Sequence, residues 1–508
     1  MAQVAVQLNG ISKRFGAVQA NREVSLGVEA GTVHGLVGEN GAGKSTLMAI
    51  LYGYYQADAG SIEINGRAAR IANSHEAIAL GIGMVHQHFM LVDTLTALDN
   101  IMLGAEGGFF LRASKSGARI KLQKLMQETG LTVRLDTLVA DLPVGEMQRL
   151  EILKALYRGA RILILDEPTA VLTPQETLQL FDTLRQLRAM GTTVILITHK
   201  LKEVMALCDA VTVMRQGQVI HHTPIGETSP ELLAEAMVGR KVNLGRQGAD
   251  QAANDEVRLT VEGINVRDAA GVPRLRDVSL SLSAGEIVGV AGVSGNGQSE
   301  LLEVLSGMLA PDAGCMNLGG QSFSAEAWLN PSRARALKLA HVPEDRHACG
   351  MVMSFPAWET AVLGYQHQRQ YNQGLSMNHA EMREQTAAMQ ERFDVRPRDP
   401  NLGSSKFSGG NQQKLILARE IGQAPTVLLV GQPTRGVDIG AIEFIHGQLR
   451  ALRDAGCAVL LVSSELDEIL ALADRVVVMN GGRVTGELSI DECDEKKLGL
   501  LMAAEVAA

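Results

Sequence analysis

The stretch that decides the fold is Gly38-Glu39-Asn40-Gly41-Ala42-Gly43-Lys44-Ser45, which fits the pattern G-x-x-x-x-G-K-[ST]. A β-type run, Thr32 to Val37, leads into it, and a helix is predicted to begin at Lys44. The glycines allow backbone N–H groups to wrap around phosphate oxygens, Lys44 reaches the outer phosphates, and the Ser45 hydroxyl can bind Mg²⁺. Together with Thr46, which follows it, the stretch is predicted to bind the phosphates of a nucleotide.

Two carboxylates mark the end of another predicted strand. Arg161 to Leu165 is a short, largely apolar run of the kind buried in a parallel sheet, and Asp166 and Glu167 follow it. Such a pair is otherwise often part of a plain turn, but the phosphate-binding stretch upstream favours a catalytic interpretation. Asp166 is predicted to hold Mg²⁺ through water, and Glu167 to polarise the attacking water.

Composition excludes several classes of protein. The 508 residues are 46% hydrophobic and 20% charged, with a formal net charge of −9, which excludes disorder and a chain-wide surface for nucleic acid. Aromatic residues make up only 4%, too few for a platform that stacks bases. The five cysteines are scattered and never spaced C-x-x-C, so reduced thiols are predicted rather than a zinc site. No apolar stretch is long enough to predict a membrane span.

The chain is an internal duplication. Val24-Ser25-Leu26 returns 254 residues later as Val278-Ser279-Leu280, and Thr193 to Leu201 resembles Ala458 to Leu466, 265 residues further on. Strands alternate with helices in each copy, which predicts an α/β fold with a doubly wound sheet whose ligands bind beyond the carboxyl ends of the strands. The predicted organisation is a domain at 1–243, a linker at 244–256 and a second domain at 257–508.

Four further motifs complete the pattern. They are Phe15 in the run KRFG, Gln87 between two histidines, His199 after a short strand, and Phe407-Ser408-Gly409-Gly410-Asn411-Gln412. With them the chain resembles, over nearly its whole length, a tandem ATP-binding subunit of a bacterial ABC importer of the simple-sugar or purine-nucleoside type. The resemblance implies two P-loop nucleotide-binding domains of ABC type, each with a RecA-like α/β core, an antiparallel β part and a helical subdomain.

The resemblance also implies how ATP and Mg²⁺ are held. The two domains pair head to tail, so each ATP lies between the phosphate-binding loop of one domain and the signature motif of the other. Phe15 then stacks on adenine, Gln87 touches Mg²⁺ beside Ser45 and Asp166 and couples to the permease, and His199 meets the γ-phosphate. The signature hydroxyl and the helix N-terminus behind it receive that phosphate; the residues implied are Ser408, Gly409, Gly410 and Gln412.

The second copy departs from the pattern at almost every position that handles phosphate. Gln298 stands where the lysine belongs, although Ser299 is kept after it. The other departures are Glu344 at the Gln-loop position, Gly431 and Gln432 at the acidic pair, Ser464 at the switch histidine, and Asp268 or Ala269 near the position of Phe15. The second copy nevertheless keeps a good signature motif.

The first copy departs from the pattern in its signature motif and D-loop instead of its phosphate-binding loop. Its signature stretch has Pro143 and Val144 in place of serine and glycine, and its D-loop position is Thr173, whereas the second copy keeps Asp438. The residues that depart from the pattern therefore belong to one of the two composite sites. The site that pairs the first phosphate-binding loop with the second signature motif is complete, and the other is altered on both sides. The sequence thus predicts one competent ATP site and one degenerate site.

The resemblance further implies an ATPase that energises import of a small solute through a separate permease. The implied partners are two transmembrane permease subunits and, indirectly, an extracytoplasmic solute-binding protein; the implied location is peripheral, on the cytoplasmic face of the inner membrane. His86 to Val92 and Gln432 to Asp438 look most like the purine-nucleoside branch. The simple-sugar branch, which typically keeps an acidic pair in its second domain, is the alternative. A more remote alternative is a soluble tandem ABC ATPase acting on ribosomes, which usually has a long charged linker and two intact sites.

The permease is expected to dock on the stretch after each Gln-loop position, His88 to Thr96 in the first domain and Asp345 to Phe355 in the second. In the first stretch Phe89, Met90 and Leu91 would form an apolar anchor if exposed. The alternative is that these three residues belong to the core.

Overall fold

A computed structural model of the chain describes residues 3–16, 18–87, 89–105, 111–169, 172, 174–242, 245, 256–293, 295–372, 374 and 376–503. His88, Thr173 and the linker 244–256, apart from Gly245 and Glu256, lie outside these ranges. Within them, no helix has both the length and the apolar character needed to cross a bilayer. The chain divides into two compact units, Met1–Val242 and Asn243–Ala508, and each is described by itself.

Two sheets make up the β structure of the first unit. Its strands are β1 (Val4–Phe15), β2 (Val18–Glu29), β3 (Val33–Val37), β4 (Ala59–Ile64), β5 (Arg67–Ala69), β6 (Ile82–Val85), β7 (Ile162–Asp166), β8 (Thr193–Ile197), β9 (Ala210–Arg215) and β10 (Gln218–Pro224). An antiparallel sheet has the order β2-β1-β4-β5, and a second sheet has the order β10-β9-β3-β8-β7-β6. In the second sheet only the edge strand β10 runs antiparallel to its neighbour.

Helices cover the mostly parallel sheet of this unit. They are α1 (Lys44–Leu51), α2 (Ser74–Ala79), α3 (Ala97–Met102), α4 (Leu111–Thr129), α5 (Val144–Tyr157), α6 (Pro174–Ala189), α7 (Leu201–Leu207) and α8 (Pro230–Val238). Every residue of β3, β6, β7 and β8 is buried, which explains why these strands are almost continuously apolar. Helices α3, α4 and α5 pack on one another as a helical subdomain.

One hydrophobic core joins the two sheets of the first unit. Leu8 and Ile11 of β1 are both fully buried, because the strand shifts register between them. They share this core with Leu47 of α1 and Ile195 of β8. Burial of such side chains contributes roughly 1.5–3 kcal/mol each. This core fixes α1, and with it the phosphate-binding loop, against the sheet.

The second unit repeats this architecture. Its strands are β11 (Val257–Arg267), β12 (Pro273–Ser283), β13 (Ile287–Ala291), β14 (Ala313–Leu318), β15 (Gln321–Ser324), β16 (Leu339–Val342), β17 (Val427–Gly431), β18 (Ala458–Val462), β19 (Arg475–Asn480) and β20 (Arg483–Ser489). Its helices are α9 (Gln298–Leu305), α10 (Pro331–Ala336), α11 (Ala357–Val362), α12 (His379–Arg392), α13 (Gly409–Ile421), α14 (Ile439–Asp454), α15 (Leu466–Leu472) and α16 (Glu495–Ala503). The sheet orders, β12-β11-β14-β15 and β20-β19-β13-β18-β17-β16, match those of the first unit strand for strand.

The predicted fold class is confirmed. The predicted helix start at Lys44 is the first residue of α1, and the short apolar runs are β7 and β8. Each unit combines an antiparallel sheet, a mostly parallel sheet and a group of helices. Because β6, β7 and β8 are parallel neighbours, the residues that follow them meet at one edge of the sheet.

Candidate functional site

The phosphate-binding loop of the first unit lies between β3 and α1. Lys44 is only 6% exposed, and its Nζ donates hydrogen bonds to the carbonyl oxygens of Gly38, at 2.7 Å, and Glu39, at 3.1 Å. Gly43 has a φ of 97°, and a Cβ there would lie 2.3 Å from the carbonyl oxygen of Ala20. The tight turn into α1 therefore requires glycine, and it directs the first N–H groups of the helix towards the loop.

Four predicted residues meet at the carboxyl ends of β6, β7 and β8. Glu167 receives a hydrogen bond from Gln87 Nε2, at 3.1 Å, and lies 2.9 Å from His199 Nδ1. Asp166, the last residue of β7, is 8% exposed and is hydrogen-bonded to Ser45 in the first turn of α1. The structure thus brings together the residues predicted to handle the γ-phosphate and those predicted to hold Mg²⁺.

The two carboxylates have different electrostatic surroundings. Burial raises the pKa of Asp166, and the hydrogen bond from Ser45 opposes this only in part. Burial would also raise the pKa of Glu167, but the hydrogen bond and charge of His199, together with Lys44 and Lys200, bring it below its usual value. Glu167 is therefore an ionised carboxylate that can polarise a water molecule, held in place by Gln87 and His199.

The donor atoms around Asp166 fit Mg²⁺. This cation prefers oxygen ligands and usually shares one or two carboxylates with substrate phosphates rather than occupying a cage of protein ligands. Ser45, Asp166 and Gln87 supply a hydroxyl, a carboxylate and an amide oxygen. Burial is the largest cause of the raised pKa of Asp166, and a divalent cation held by these three groups would favour the ionised carboxylate and draw the phosphates towards the loop.

Phe15 ends β1 with an exposed ring. The side chain is 40% exposed, its ring centroid lies 5.0 Å from that of Tyr55 in an edge-to-face arrangement, and Lys13 Nζ lies 5.5 Å from its centre. An exposed aromatic face is what stacking on adenine requires. Tyr55, 45% exposed, was not singled out from the sequence, because its proximity to Phe15 arises only when β1 and the chain after α1 come together.

The signature stretch of the second unit begins α13. Ser408 occupies the N-cap position, and its hydroxyl receives a hydrogen bond from Asn411 Nδ2 at 2.8 Å, so it is held at the start of the helix. Gln412, predicted to bind nucleotide, is only 4% exposed. Its Nε2 donates to the Ser404 carbonyl oxygen at 3.1 Å, and its Oε1 lies 3.0 Å from His347 Nε2. This geometry suits a residue that positions the loop, which carries Gly409 and Gly410, better than one that contacts nucleotide.

The matching position in the first unit lacks the hydroxyl. Pro143 is the N-cap residue of α5, with no side-chain hydrogen bond to the helix. Val144 follows and is 41% exposed. A proline is compatible with a helix start but offers no donor to a phosphate. In the second unit, by contrast, Asp438 caps α14 through the N–H of Ala441 at 2.8 Å.

At the position of Glu167, the second unit keeps the backbone conformation but carries an amide in place of the carboxylate. Gln432 adopts a φ of 47°, close to the 48° of Glu167, so the two positions correspond in conformation. Gln432 Oε1 accepts hydrogen bonds from the hydroxyl, at 3.0 Å, and the N–H, at 3.2 Å, of Ser464. Neither side chain can take a proton from water at neutral pH, which agrees with a degenerate site.

Two residues of α5 were missed by sequence reasoning. Glu151, 4% exposed, accepts the N–H of Met90 at 2.7 Å, and Lys154 Nζ donates to the Met90 carbonyl oxygen at 2.7 Å. They tie the segment after Gln87 to the helical subdomain. Burial raises the pKa of Glu151, as expected for a carboxylate enclosed between elements. No motif marks them, because they act through a backbone contact.

These features define a P-loop nucleotide-binding protein with two copies of the ATPase fold. The chain belongs to the ABC transporter family, whose sequence model matches residues 21–170 and 275–435. It is accordingly an ATP hydrolase of the ABC type. The two matched segments contain the two phosphate-binding loops and the first acidic pair.

Three relatives that match over nearly their full length are named as import ATP-binding proteins. A guanosine import ATP-binding protein of Bacillus subtilis is 44% identical, covering 99% of this chain and 98% of that protein. A nucleoside import ATP-binding protein of Lactococcus lactis is 42% identical, covering 98% of each. A glucose import ATP-binding protein of Haloferax volcanii is 40% identical, covering 98% of this chain and 95% of that protein.

One solved structure matches both halves of the chain. It contains an archaeal ribosome recycling factor, with a TM-score of 0.65 and 18% identity, covering 97% of this chain and 92% of that one. At this identity the likeness concerns the fold alone.

Proposed function

We propose that this chain is the ATPase subunit of an importer for purine nucleosides. It acts with two transmembrane permease subunits and a solute-binding protein, on the cytoplasmic face of the membrane. The observation that carries the proposal is the organised catalytic edge of one unit, where Glu167 is held between Gln87 and His199, in a chain whose relatives include guanosine and nucleoside import proteins.

The proposed competent site is built from both domains. Lys44, Asp166, Glu167 and His199 come from the first, and Ser408 comes from the second. Ser408 is already positioned by Asn411, and its helix N-terminus carries the partial positive charge that favours a phosphate. Closure of the domains on ATP brings these groups together, and product release reopens them.

Simple-sugar import is the alternative. A glucose import relative at 40% identity supports it. The replacement of the second acidic pair by Gly431 and Gln432 favours the nucleoside branch, since the sugar branch typically keeps that pair. A ribosome-acting ATPase is disfavoured, because the degenerate second site and the predicted short linker differ from the usual pattern of such proteins.

Solute identity can be tested in the native host. In cells whose only copy carries Glu167→Gln, uptake of labelled guanosine is expected to fall to the background left by other carriers, with ribose and glucose uptake unchanged. The physical reason is that the transporter still assembles but cannot hydrolyse ATP, so its domains do not reopen for another cycle. Loss of sugar uptake with normal nucleoside uptake would replace the proposal by its alternative.

The segment after Gln87 is the proposed docking surface for the permease. Met90 is 57% exposed and Val92 is 40% exposed, while Phe89 and Leu91 are half-buried, so none of the four belongs to the core. The hydrogen bonds of Met90 to Glu151 and Lys154 connect this surface to the helical subdomain. The pocket beside it is lined partly by Tyr52, Tyr54, His86 and Arg158.

Met90→Asp is expected to reduce copurification of the permease at least about ten-fold, because a charge would replace an apolar contact at the centre of the docking surface. ATP binding by the isolated chain should be unchanged, since Met90 does not reach the phosphate-binding loop. Met190→Asp is the matched control, as Met190 is 52% exposed but lies beyond α6. Full recovery of permease with Met90→Asp would exclude this surface.

A further inference from the structure

One arginine of the second unit lies between the signature motif and the loop that precedes α14. Arg346 lies four residues beyond β16, and its Nη1 donates to the carbonyl oxygen of Arg435, at 3.1 Å, in the loop between β17 and α14. A Cβ built on Gly409, the first residue of α13, would lie 2.9 Å from Nη2 and 3.4 Å from Cζ of Arg346. The two ends of the guanidinium therefore lie against two different loops.

The two loops also approach each other directly. The same Cβ on Gly409 would lie 3.3 Å from the carbonyl oxygen of Gly436, in the loop that leads to Asp438, the N-cap residue of α14. Ser408 comes immediately before Gly409. A shift of one loop away from the other would therefore displace the hydroxyl that is predicted to receive the γ-phosphate.

The neighbours of Arg346 fix the segment from which it extends. Asp345 accepts the N–H groups of His347, at 2.8 Å, and Ala348, at 3.0 Å. His347 Nε2 lies 3.0 Å from Gln412 Oε1, so the segment meets α13 at a second point. Burial is the largest cause of a lowered pKa of Arg346, and the charge of Asp345 opposes it. Hydrogen bonds of such a partly desolvated guanidinium are stronger than those of an exposed arginine.

The first unit has no arginine at the corresponding point. Counted from the ends of β6 and β16, Phe89 corresponds to Arg346; counted from the N-cap residues of α5 and α13, Val144 corresponds to Gly409. The unit that keeps the signature serine thus has arginine beside glycine, and the unit with Pro143 has phenylalanine and valine. This distribution is expected if the arginine serves the signature loop, whereas a contact needed only for folding would be expected in both copies.

We propose that Arg346 is a positioning residue for ATP hydrolysis at the competent site. Its planar guanidinium, with several donors in a fixed geometry, holds the signature loop against the loop before α14. The Ser408 hydroxyl and the N-terminus of α13 are then in place when the γ-phosphate arrives. The inference rests on the proposed composite site, in which the signature motif of the second domain serves the first phosphate-binding loop, but not on the imported solute.

The test compares Arg346→Met and Arg346→Lys in the full chain, purified with its permease. Methionine cannot donate a hydrogen bond, and lysine keeps the charge without the planar fork. Because hydrogen bonds from a charged group are lost, Arg346→Met is expected to lower kcat for ATP at least about ten-fold. Arg346→Lys should recover only part of that loss.

The affinity of the isolated chain for ADP is the readout that a general loss of structure would also lower. It should stay unchanged with Arg346→Met, because ADP lacks the phosphate that the signature loop receives. Arg333→Met is the matched control, since Arg333 of α10 donates to Gln321 of β15, at 2.7 Å, rather than to the signature region. This control should leave kcat unchanged.

A second background tests whether Arg346 acts through the signature serine. Ser408→Ala removes the hydroxyl that Arg346 positions, so adding Arg346→Met to it should lower kcat by a smaller factor than in the wild-type chain. The inference is overturned if the factor is the same in both backgrounds, if lysine restores the full rate, or if ADP affinity falls as much as kcat. It is also overturned if Arg346→Met keeps its kcat while Ser408→Ala loses it.

An unchanged kcat with Ser408→Ala would overturn the composite site, and the inference with it. Failure of the nucleoside assignment would appear in the uptake experiment and would leave these rates and affinities as they are.

Discussion

Purified with its permease, the chain carrying Lys44→Ala or Glu167→Gln is expected to release phosphate from ATP at no more than about one hundredth of the wild-type rate. The chain carrying Gln298→Ala is expected to keep most of that rate. Lys44 and Gln298 occupy equivalent positions of the two phosphate-binding loops, and Glu167 follows β7 in the first unit. The contrast between the variants therefore tests the assignment of hydrolysis to the site of the first loop.

The expected loss of ATPase rate follows from the charged groups that the substitutions remove. A lysine and a phosphate about 4 Å apart interact by about 4 kcal/mol at an effective dielectric constant of about 20, or roughly a thousand-fold in affinity or rate. Loss of a general base costs roughly 10²- to 10⁴-fold. Gln298 has no charge to lose, and its amide donates to a carbonyl of its own loop.

Steady-state phosphate release by the three variants, at equal levels of assembled transporter, is the measurement. Size-exclusion profiles of the variants serve as the control for folding, because Lys44 also holds two carbonyl groups of its loop. Robust activity in Glu167→Gln, combined with loss in Gln298→Ala, would assign hydrolysis to the other loop.

The sequence predicts best those features that depend on local spacing. The phosphate-binding stretch requires glycine because Gly43 has a positive φ and closely approaches Ala20, and such requirements leave a readable pattern. The apolar runs of β7 and β8 are equally visible, since strands covered on both faces must be apolar throughout. The fold class follows from these elements and their repetition.

Contacts between distant elements leave no such pattern. Glu151 and Lys154 hold the backbone of Met90, and nothing about their spacing within α5 distinguishes them from surface charges. The signature residue Gln412 turns inward, where its amide is hydrogen-bonded to Ser404 and lies beside His347. In the sequence the glycine at position 431 looks like a simple loss, but in the structure a Cβ there would lie 2.5 Å from Glu344 Cγ.

The measurement that tests the central claim most directly is the amount of ADP trapped by vanadate, which mimics the transferring γ-phosphate. The claim is that one composite site hydrolyses ATP and the other does not. We expect at most one trapped ADP per chain, and we expect it to be lost with Lys44→Ala. It should also be lost with Ser408→Pro, which removes the signature hydroxyl and copies Pro143, the N-cap residue of α5 in the first domain. Two trapped ADP molecules per chain would show that Gln298 and Gln432 support catalysis, and would contradict the asymmetry proposed for the two sites.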